Sequence, residues 1–201
     1  MTEPSGQREV VGVLLAAGLG TRFAGGNKLL ARLDRDGEKV PLVRQAAERL
    51  VDAPVASAVA VLGHEAERVA AALDPVGIDT VRNTEYEAGQ ATSVRRGVAW
   101  ARRRDADAAL FALGDMPWVA PSTYRALVDN WRASDAGIVV PTYEGERGNP
   151  VVFGARHFDA LERVEGDTGG RALMASEPVE RVAVDDPGIH LDVDRVRDLE
   201  D

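Results

Sequence analysis

The chain alternates short, wholly apolar runs with longer segments in which apolar residues recur at helical spacing. Val10–Leu15, Ser57–Leu62 (SAVAVL) and Ala108–Leu113 (AALFAL) have the pattern of strands buried on both faces of a parallel sheet, and Asp79–Arg82 is a weaker example. Between them, Pro41–Val51, Glu65–Leu73, Thr92–Arg103 and Ser122–Trp131 read as helices, with Pro41 suited to an opening turn. This alternation through residue 133 predicts βαβ units, and so an α/β fold: a three-layer α/β/α sandwich on a mostly parallel sheet.

The second half changes character. Ile138–Pro141 and Val151–Phe153 flank a polar loop, Thr142–Pro150, as a hairpin or a strand pair bearing an excursion would. Helical pieces follow at Arg156–Val164 and Gly170–Ala175, then a strand at Val179–Val184 and a short helix near Arg195–Leu199. No internal repeat or low-complexity linker interrupts the chain. One domain over residues 1–201 is expected, with residues 1–9 as a loose N-terminal tail.

Composition narrows the field. At 45% hydrophobic and 28% charged, 201 residues suffice for a sizeable core. No apolar run approaches the roughly 20 residues that span a bilayer, and the polar start lacks a signal-peptide core, so a cytoplasmic protein without membrane association is expected. The absence of cysteine excludes disulfides, thiolate metal sites and thiol nucleophiles. With 24 basic against 33 acidic residues, net −9, the chain lacks the positive field that nucleic acid requires. Its lysines are Lys28 and Lys39 alone, which suits either a salt-rich cytoplasm or an arginine-biased genome.

The turn after the first strand, LLAAGLGTRFAGGNKLL, is the first chemical candidate. Gly18, Gly20, Gly25 and Gly26 allow close approaches that a β-carbon would block, so several N–H groups can face one anion. Arg22 and Lys28 add fixed positive charge, and the combination suits a triphosphate. A flexible glycine loop with two surface cations is the plainer reading. A dinucleotide fingerprint fails at Phe23, and a P-loop fails because Leu29 follows Lys28 where a hydroxyl is needed.

Asp115, in Gly114-Asp115-Met116-Pro117, should stand at the carboxyl end of the Ala108–Leu113 strand, where open α/β sheets bind ligands. A carboxylate facing a triphosphate is useful only with a divalent cation between them, and magnesium takes such oxygen ligands; without a ligand, Asp115 caps a turn. Asp192 and Asp194 alternate in Leu191-Asp192-Val193-Asp194, so an extended backbone would turn both to one face. Either aspartate would complete a magnesium site with Asp115, while Asp194 would equally serve as an N-cap for the last helix. Gly89, Gln90 and Ser93 open a predicted helix and carry groups suited to a base edge, or simply begin the helix with Thr92 or Ser93 as its cap.

The run Leu15-Ala16-Ala17-Gly18-x-Gly20-x-Arg22, with Lys28 six residues on, resembles the signature of the MobA-like NTP transferases, within them the molybdenum cofactor cytidylyltransferase branch. Gly89–Val94, Gly114–Pro117, Gly148-Asn149-Pro150 and Leu191–Asp194 follow in the order that branch shows, from about residue 10 to 199. Arg195-Val196 stands where the family usually continues with Thr-Pro. The resemblance implies the Rossmann-like sheet of nucleotide-diphospho-sugar transferases. It implies nucleotide binding by Leu15, Ala16, Ala17, Gly18, Gly20, Arg22, Lys28, Gly89, Gln90, Ser93 and Gly114. Asp115 with Asp192 or Asp194 would hold Mg2+, and Arg22, Lys28 and Asp115 would be catalytic.

CTP is favoured over GTP because Ala16-Ala17-Gly18 stands where guanylyl relatives usually have Gly-Gly, and the Ala17 methyl would crowd a purine. The acceptor side is expected at Gly148, Asn149, Pro150, Gly169, Gly170 and Arg171, with Arg147 and Arg171 available to a phosphate. The resemblance implies molybdopterin as the small phosphorylated acceptor, and a molybdenum hydroxylase as recipient of the product. Guanylyl transfer, another phosphorylated acceptor, or a non-catalytic cofactor-binding maturation factor are the competing readings.

Overall fold

A computed structural model describes residues 8–20, 23, 26–167 and 169–199. Its main sheet runs through β1 (Val10–Ala16), β4 (Ala58–Leu62), β5 (Asp79–Arg82), β6 (Ala108–Leu113), β7 (Ile138–Tyr143), β9 (Val151–Gly154) and β10 (Glu180–Ala183). The spatial order is β10-β7-β9-β6-β1-β4-β5, and a short β8 (Glu146–Arg147) pairs with β7. β9 lies antiparallel between β6 and β7, and the other neighbours along the path are parallel. The fold is the expected α/β sandwich with a mostly parallel, Rossmann-like sheet.

Strand alternation builds two cores. From β1, Val10, Leu14 and Ala16 face one side and Val11 and Val13 the other. The first side is covered by α1 (Leu42–Val51), α2 (Ala66–Leu73) and α4 (Pro121–Ala133), through Leu42, Leu50, Val69, Leu73, Leu127 and Trp131. The second is covered by α3 (Gln90–Arg102), α5 (Phe158–Glu162) and α6 (Arg171–Ser176), through Val94, Val98, Leu161 and Leu173. Each helix presents an apolar stripe because its apolar residues return at the helical period. No described helix is long and apolar enough to cross a membrane.

Three local differences from the expected pattern have physical causes. A hairpin, β2 (Arg32–Arg35) with β3 (Glu38–Pro41), lies where no strand was expected. Its two-residue turn is Asp36-Gly37, with φ of 52° and 86°, the positive values that a twist-matched hairpin requires. Pro41 ends β3 and precedes α1 instead of opening it. Arg8, inside the stretch expected to be a loose tail, is tied down: its guanidinium donates to the carbonyls of Trp131 (3.3 Å) and Ser134 (2.7 Å) and lies 3.8 Å from the Trp131 ring centroid.

The C-terminal segment returns to the carboxyl end of β6 through several ties. Buried Asp186 accepts from the backbone N–H of Ala120 (2.8 Å), the Thr123 hydroxyl (2.6 Å) and the Gly188 N–H (2.9 Å). A β-carbon on Gly188 would collide with the Trp118 carbonyl. Further on, the Val193 N–H donates to the Asp115 carbonyl at 3.0 Å, with the Val193 side chain buried.

Candidate active site

At the carboxyl ends of β1, β4 and β6 the chain must turn away from three adjacent parallel strands, which leaves a crevice. The Gly114 N–H donates to the Leu15 carbonyl (2.9 Å) and the His64 N–H to that of Ala17 (3.2 Å), so both neighbouring loops are drawn against the first one. A cleft of about 400 Å³ opens there. Of the residues expected to contact nucleotide, Leu15, Ala16, Ala17, Gly18, Gly20, Lys28, Gly89, Gln90 and Ser93 line it, together with Asp115 and Asp194. Gly114 lies behind the lining, where a β-carbon would press on the Leu15 carbonyl and the Leu29 side chain. Arg22 falls outside the described residues, as does Gly25.

Lys28 opens a single 3-10 turn, Lys28–Leu30, whose preceding Asn27 accepts from the Leu29 N–H (3.1 Å). Its stem runs against Gly20, at φ +59°, where a β-carbon would stand 3.1 Å from the Lys28 Cγ. The ammonium is thereby aimed at two carboxylates: Nζ is 2.5 Å from Asp115 Oδ2 and 3.4 Å from Asp194 Oδ1. The side chain is only 14% exposed, so these attractions are screened less than on an open surface. Residues 87 and 166 positions apart thus meet at one point.

The third acid stands one step outward. Asp192 and Asp194 flank buried Val193; Asp194 faces the cleft, while both border an outer groove with Trp118, Arg195 and Arg197. Burial, together with the negative charge of Asp115 and Asp194, holds the Asp192 carboxyl above its ordinary range, against a smaller opposing pull from Lys28. Asp198, within the last 3-10 turn, reaches back and accepts from the N–H groups of Asp194 (3.0 Å) and Arg195 (2.7 Å). That hydrogen bonding forms the turn where the family's Thr-Pro is missing.

The carboxylates suit a hard divalent cation. Asp115 and Asp194 converge on a point that a cationic nitrogen now marks, and oxygen is the donor that magnesium and manganese accept. Among the described residues no three histidine or acidic side chains are arranged to enclose an ion by themselves. The set therefore fits an ion that keeps water and substrate oxygens as its remaining ligands.

Gly89 has φ +105°, and a β-carbon there would stand 2.7 Å from the Gly166 backbone. That close approach lets the Gly166 carbonyl accept from the Ala91 N–H (3.0 Å), while Asp167 Oδ1 accepts from the Gln90 N–H (3.2 Å). Asp167, not Thr92 or Ser93, thus caps α3, and its negative charge suits a helix N-terminus. Thr92 donates to the Gly89 carbonyl (2.8 Å). Tyr86, Glu87, Leu19 and Asp167 also line the cleft and escaped the sequence reading. For Asp167 the signal was present, since it lies in the Gly166–Arg171 segment noted only for its glycines and arginine.

The expected acceptor residues divide. Asn149, Gly170 and Arg171 line a pocket of about 60 Å³ that shares Leu15, Gln90 and Leu113 with the cleft. Its other walls are apolar, among them Phe111 and Phe153. Gly169 faces Gln90, and Gly148 lies so close to Ile189 that a side chain there would clash; neither Pro150 nor Arg147 lines either cavity. Arg147 points instead at the Met174 sulfur (3.4 Å).

Residues 12–182 match the family model of the MobA-like NTP transferase domain. The chain is 31% identical to a nicotine blue oxidoreductase of Paenarthrobacter nicotinovorans over 94% of both proteins. A phosphoenolpyruvate guanylyltransferase of Conexibacter woesei is 32% identical over 67% of this chain and 60% of that one. Among solved structures, Rv0371c of Mycobacterium tuberculosis H37Rv superposes with a TM-score of 0.80 at 32% identity, covering 97% of each chain. A structure of the same protein in complex with manganese superposes at 0.75, covering 96% of each.

Proposed function

The chain belongs to the MobA-like NTP transferase family, and from that premise we propose that it transfers CMP from CTP to a small phosphorylated acceptor, molybdopterin, with release of pyrophosphate. The observation that carries this reading is Lys28 poised between Asp115 and Asp194 at the end of a cleft floored by the Leu15–Gly20 loop. Among the described residues Glu87, Asp115, Asp167 and Asp194 outnumber the lysine there, so added positive charge would favour a triphosphate. Magnesium or manganese held by Asp115 and Asp194 would supply that charge and polarise the phosphate oxygens. The manganese complex of Rv0371c supports a divalent ion.

In the proposed reaction an acceptor phosphate oxygen forms a bond to the α-phosphorus. The bond from that phosphorus to the bridging oxygen breaks, and pyrophosphate leaves with the electron pair. No covalent intermediate on the chain is needed, because positioning and charge stabilisation supply most of such catalysis. Backbone N–H groups of the glycine loop would hold the phosphate chain, and Lys28 would stabilise charge on the bridging and leaving oxygens, a role Arg22 would share. Gln90 and Ser93 would meet the base, and Asn149 and Arg171 the acceptor. Ala17 is buried at the cleft wall with its methyl toward Gly63, so the choice of a pyrimidine over a purine rests on the Ala16-Ala17-Gly18 resemblance and not on crowding by that methyl.

Incubation with each of the four NTPs, a divalent ion and a molybdopterin source, followed by mass analysis, tests the proposal. A cytosine dinucleotide and one pyrophosphate per turnover are expected. The Conexibacter relative favours guanylyl transfer as the second reading, which a guanine dinucleotide, or GTP turnover with phosphoenolpyruvate, would establish. Oxidation or reduction of a heteroaromatic substrate without pyrophosphate release would place the chain with its oxidoreductase relative. Cofactor binding without any turnover would establish a maturation factor.

A further inference from the structure

Below Ser93 lies a buried side chain that the reaction does not use. Asn83 follows β5, is fully buried and sits under the first turn of α3. Its orientation follows from its neighbours. The Glu85 N–H donates to one terminal atom at 3.0 Å, and a backbone N–H has only a hydrogen to offer, so that atom is the carbonyl Oδ1. The other is then the amide nitrogen, and its two hydrogens are both assigned: Nδ2 donates to Thr92 Oγ1 at 2.8 Å and to Ser93 Oγ at 3.0 Å.

The two hydroxyls are consequently acceptors inside the protein, and each must send its own hydrogen elsewhere. Thr92 sends its hydrogen to the Gly89 carbonyl. The only hydrogen bond of the Ser93 hydroxyl among the described residues is the one it accepts from Asn83. Ser93 is 5% exposed and lines the cleft. Among the described residues its hydrogen is the one member of the network with no protein acceptor, and the cleft is the side open to it.

We propose that Asn83 is a positioning residue for base selection: by occupying one of the two Ser93 lone pairs from inside the protein, it turns the Ser93 hydrogen toward the cleft and an unprotonated ring nitrogen of the bound base. This rests on the cytidylyl reading and deepens it. Cytosine presents an acceptor at N3, where uracil carries N–H. Ser93 can give its hydrogen to the cytosine nitrogen; against uracil it would have to accept on its second lone pair and leave that hydrogen unpaired. A hydroxyl whose hydrogen had an acceptor inside the protein would meet the uracil N–H without that loss and would discriminate little.

The test is calorimetric titration of the full chain, with manganese present and no acceptor, using CTP, UTP, GTP and pyrophosphate. The wild type is expected to bind CTP at least about tenfold more tightly than UTP, as sites built around a buried hydrogen bond do. In Asn83→Asp the amide hydrogens are gone, Ser93 donates inward, and the CTP:UTP ratio should fall to within about threefold of unity. Pyrophosphate affinity should stay unchanged, which a merely disordered cleft would not allow.

Ser93→Ala is the companion variant if Asn83→Asp does not fold. It should lose the CTP preference, while Ser93→Thr, retaining the hydroxyl, should keep most of it. A CTP-selective wild type whose ratio survives in Asn83→Asp or Ser93→Ala overturns the role of the network and leaves the proposed function standing. A wild type that prefers UTP or GTP overturns both the network's role and the choice of CTP. One that binds no NTP removes the nucleotidyl-transfer reading itself.

Discussion

The backbone N–H of Val193 donates to the carbonyl of Asp115 at 3.0 Å, fastening the end of the chain to the loop after β6. Because Val193 is buried between Asp192 and Asp194, this bond sets where both carboxylates stand relative to Asp115. The charged cluster is therefore a product of backbone docking, and its side chains only complete it.

Lys28→Ala and Asp115→Ala should each reduce pyrophosphate release by at least roughly 10²-fold, the scale of losing one charge-stabilising group. Circular dichroism should be unchanged in both. Near-normal turnover in either variant would contradict the assigned roles.

Asp194→Asn should weaken manganese binding by about tenfold or more, a loss within the range recorded when support for a metal site is removed. Asp192→Asn should weaken it less, since Asp194 shares the Lys28 ammonium with Asp115 and Asp192 stands outward. Titration followed by electron paramagnetic resonance measures both, and the reverse order would transfer the ligand role to Asp192.

Asp192 also has a predicted effect on stability. Its carboxyl holds its proton to higher pH in the folded chain than in the unfolded one, owing to burial and then to Asp115 and Asp194. Through the window above the ordinary carboxylate range, the folded state thus binds more protons, and stability falls as pH rises and the group ionises. Asp192→Asn should raise the metal-free Tm at pH 7 by about 1–2 °C, corresponding to roughly 0.5 kcal/mol at a solvent-screened site. The difference should close as pH falls below about 4. A variant less stable than wild type at pH 7 would refute this sign.

Asp186→Ala removes an acceptor shared by three donors at the start of α4. A loss of about 2–4 kcal/mol is expected in urea unfolding, because buried donors are left unpaired. Turnover should fall as well, since the same contacts dock the segment that carries Asp194. Full activity in a destabilised variant would separate docking from the site.

Gly89→Ala places a β-carbon 2.7 Å from the Gly166 backbone at a φ of +105°. A destabilisation of about 2–3 kcal/mol should follow, the cost of a strained backbone conformation. Nucleotide affinity should drop with it, because the Gly166–Asp167 cap and Gln90 move together. Unchanged affinity would detach that loop from the cleft.

Residue order by itself determined the strand Ala108–Leu113 to the residue, since a short apolar run between turns carries its own period, and it placed the largely polar Asp79–Arg82 on a weaker pattern. It also indicated that Gly18, Gly20, Lys28 and Asp115 belong to one cleft, because loops at one end of a parallel sheet gather there. The hairpin at Asp36-Gly37 was not anticipated, although its turn pair carries chemistry that favours positive φ. Only the tertiary structure decided that Asp167 caps α3 across 77 residues, that Asp194 rather than Asp192 meets Lys28, and that Asn83 orients Ser93. Those choices depend on how separate segments are brought within hydrogen-bond reach, and a hydrogen bond is decided over tenths of an ångström that no local periodicity encodes.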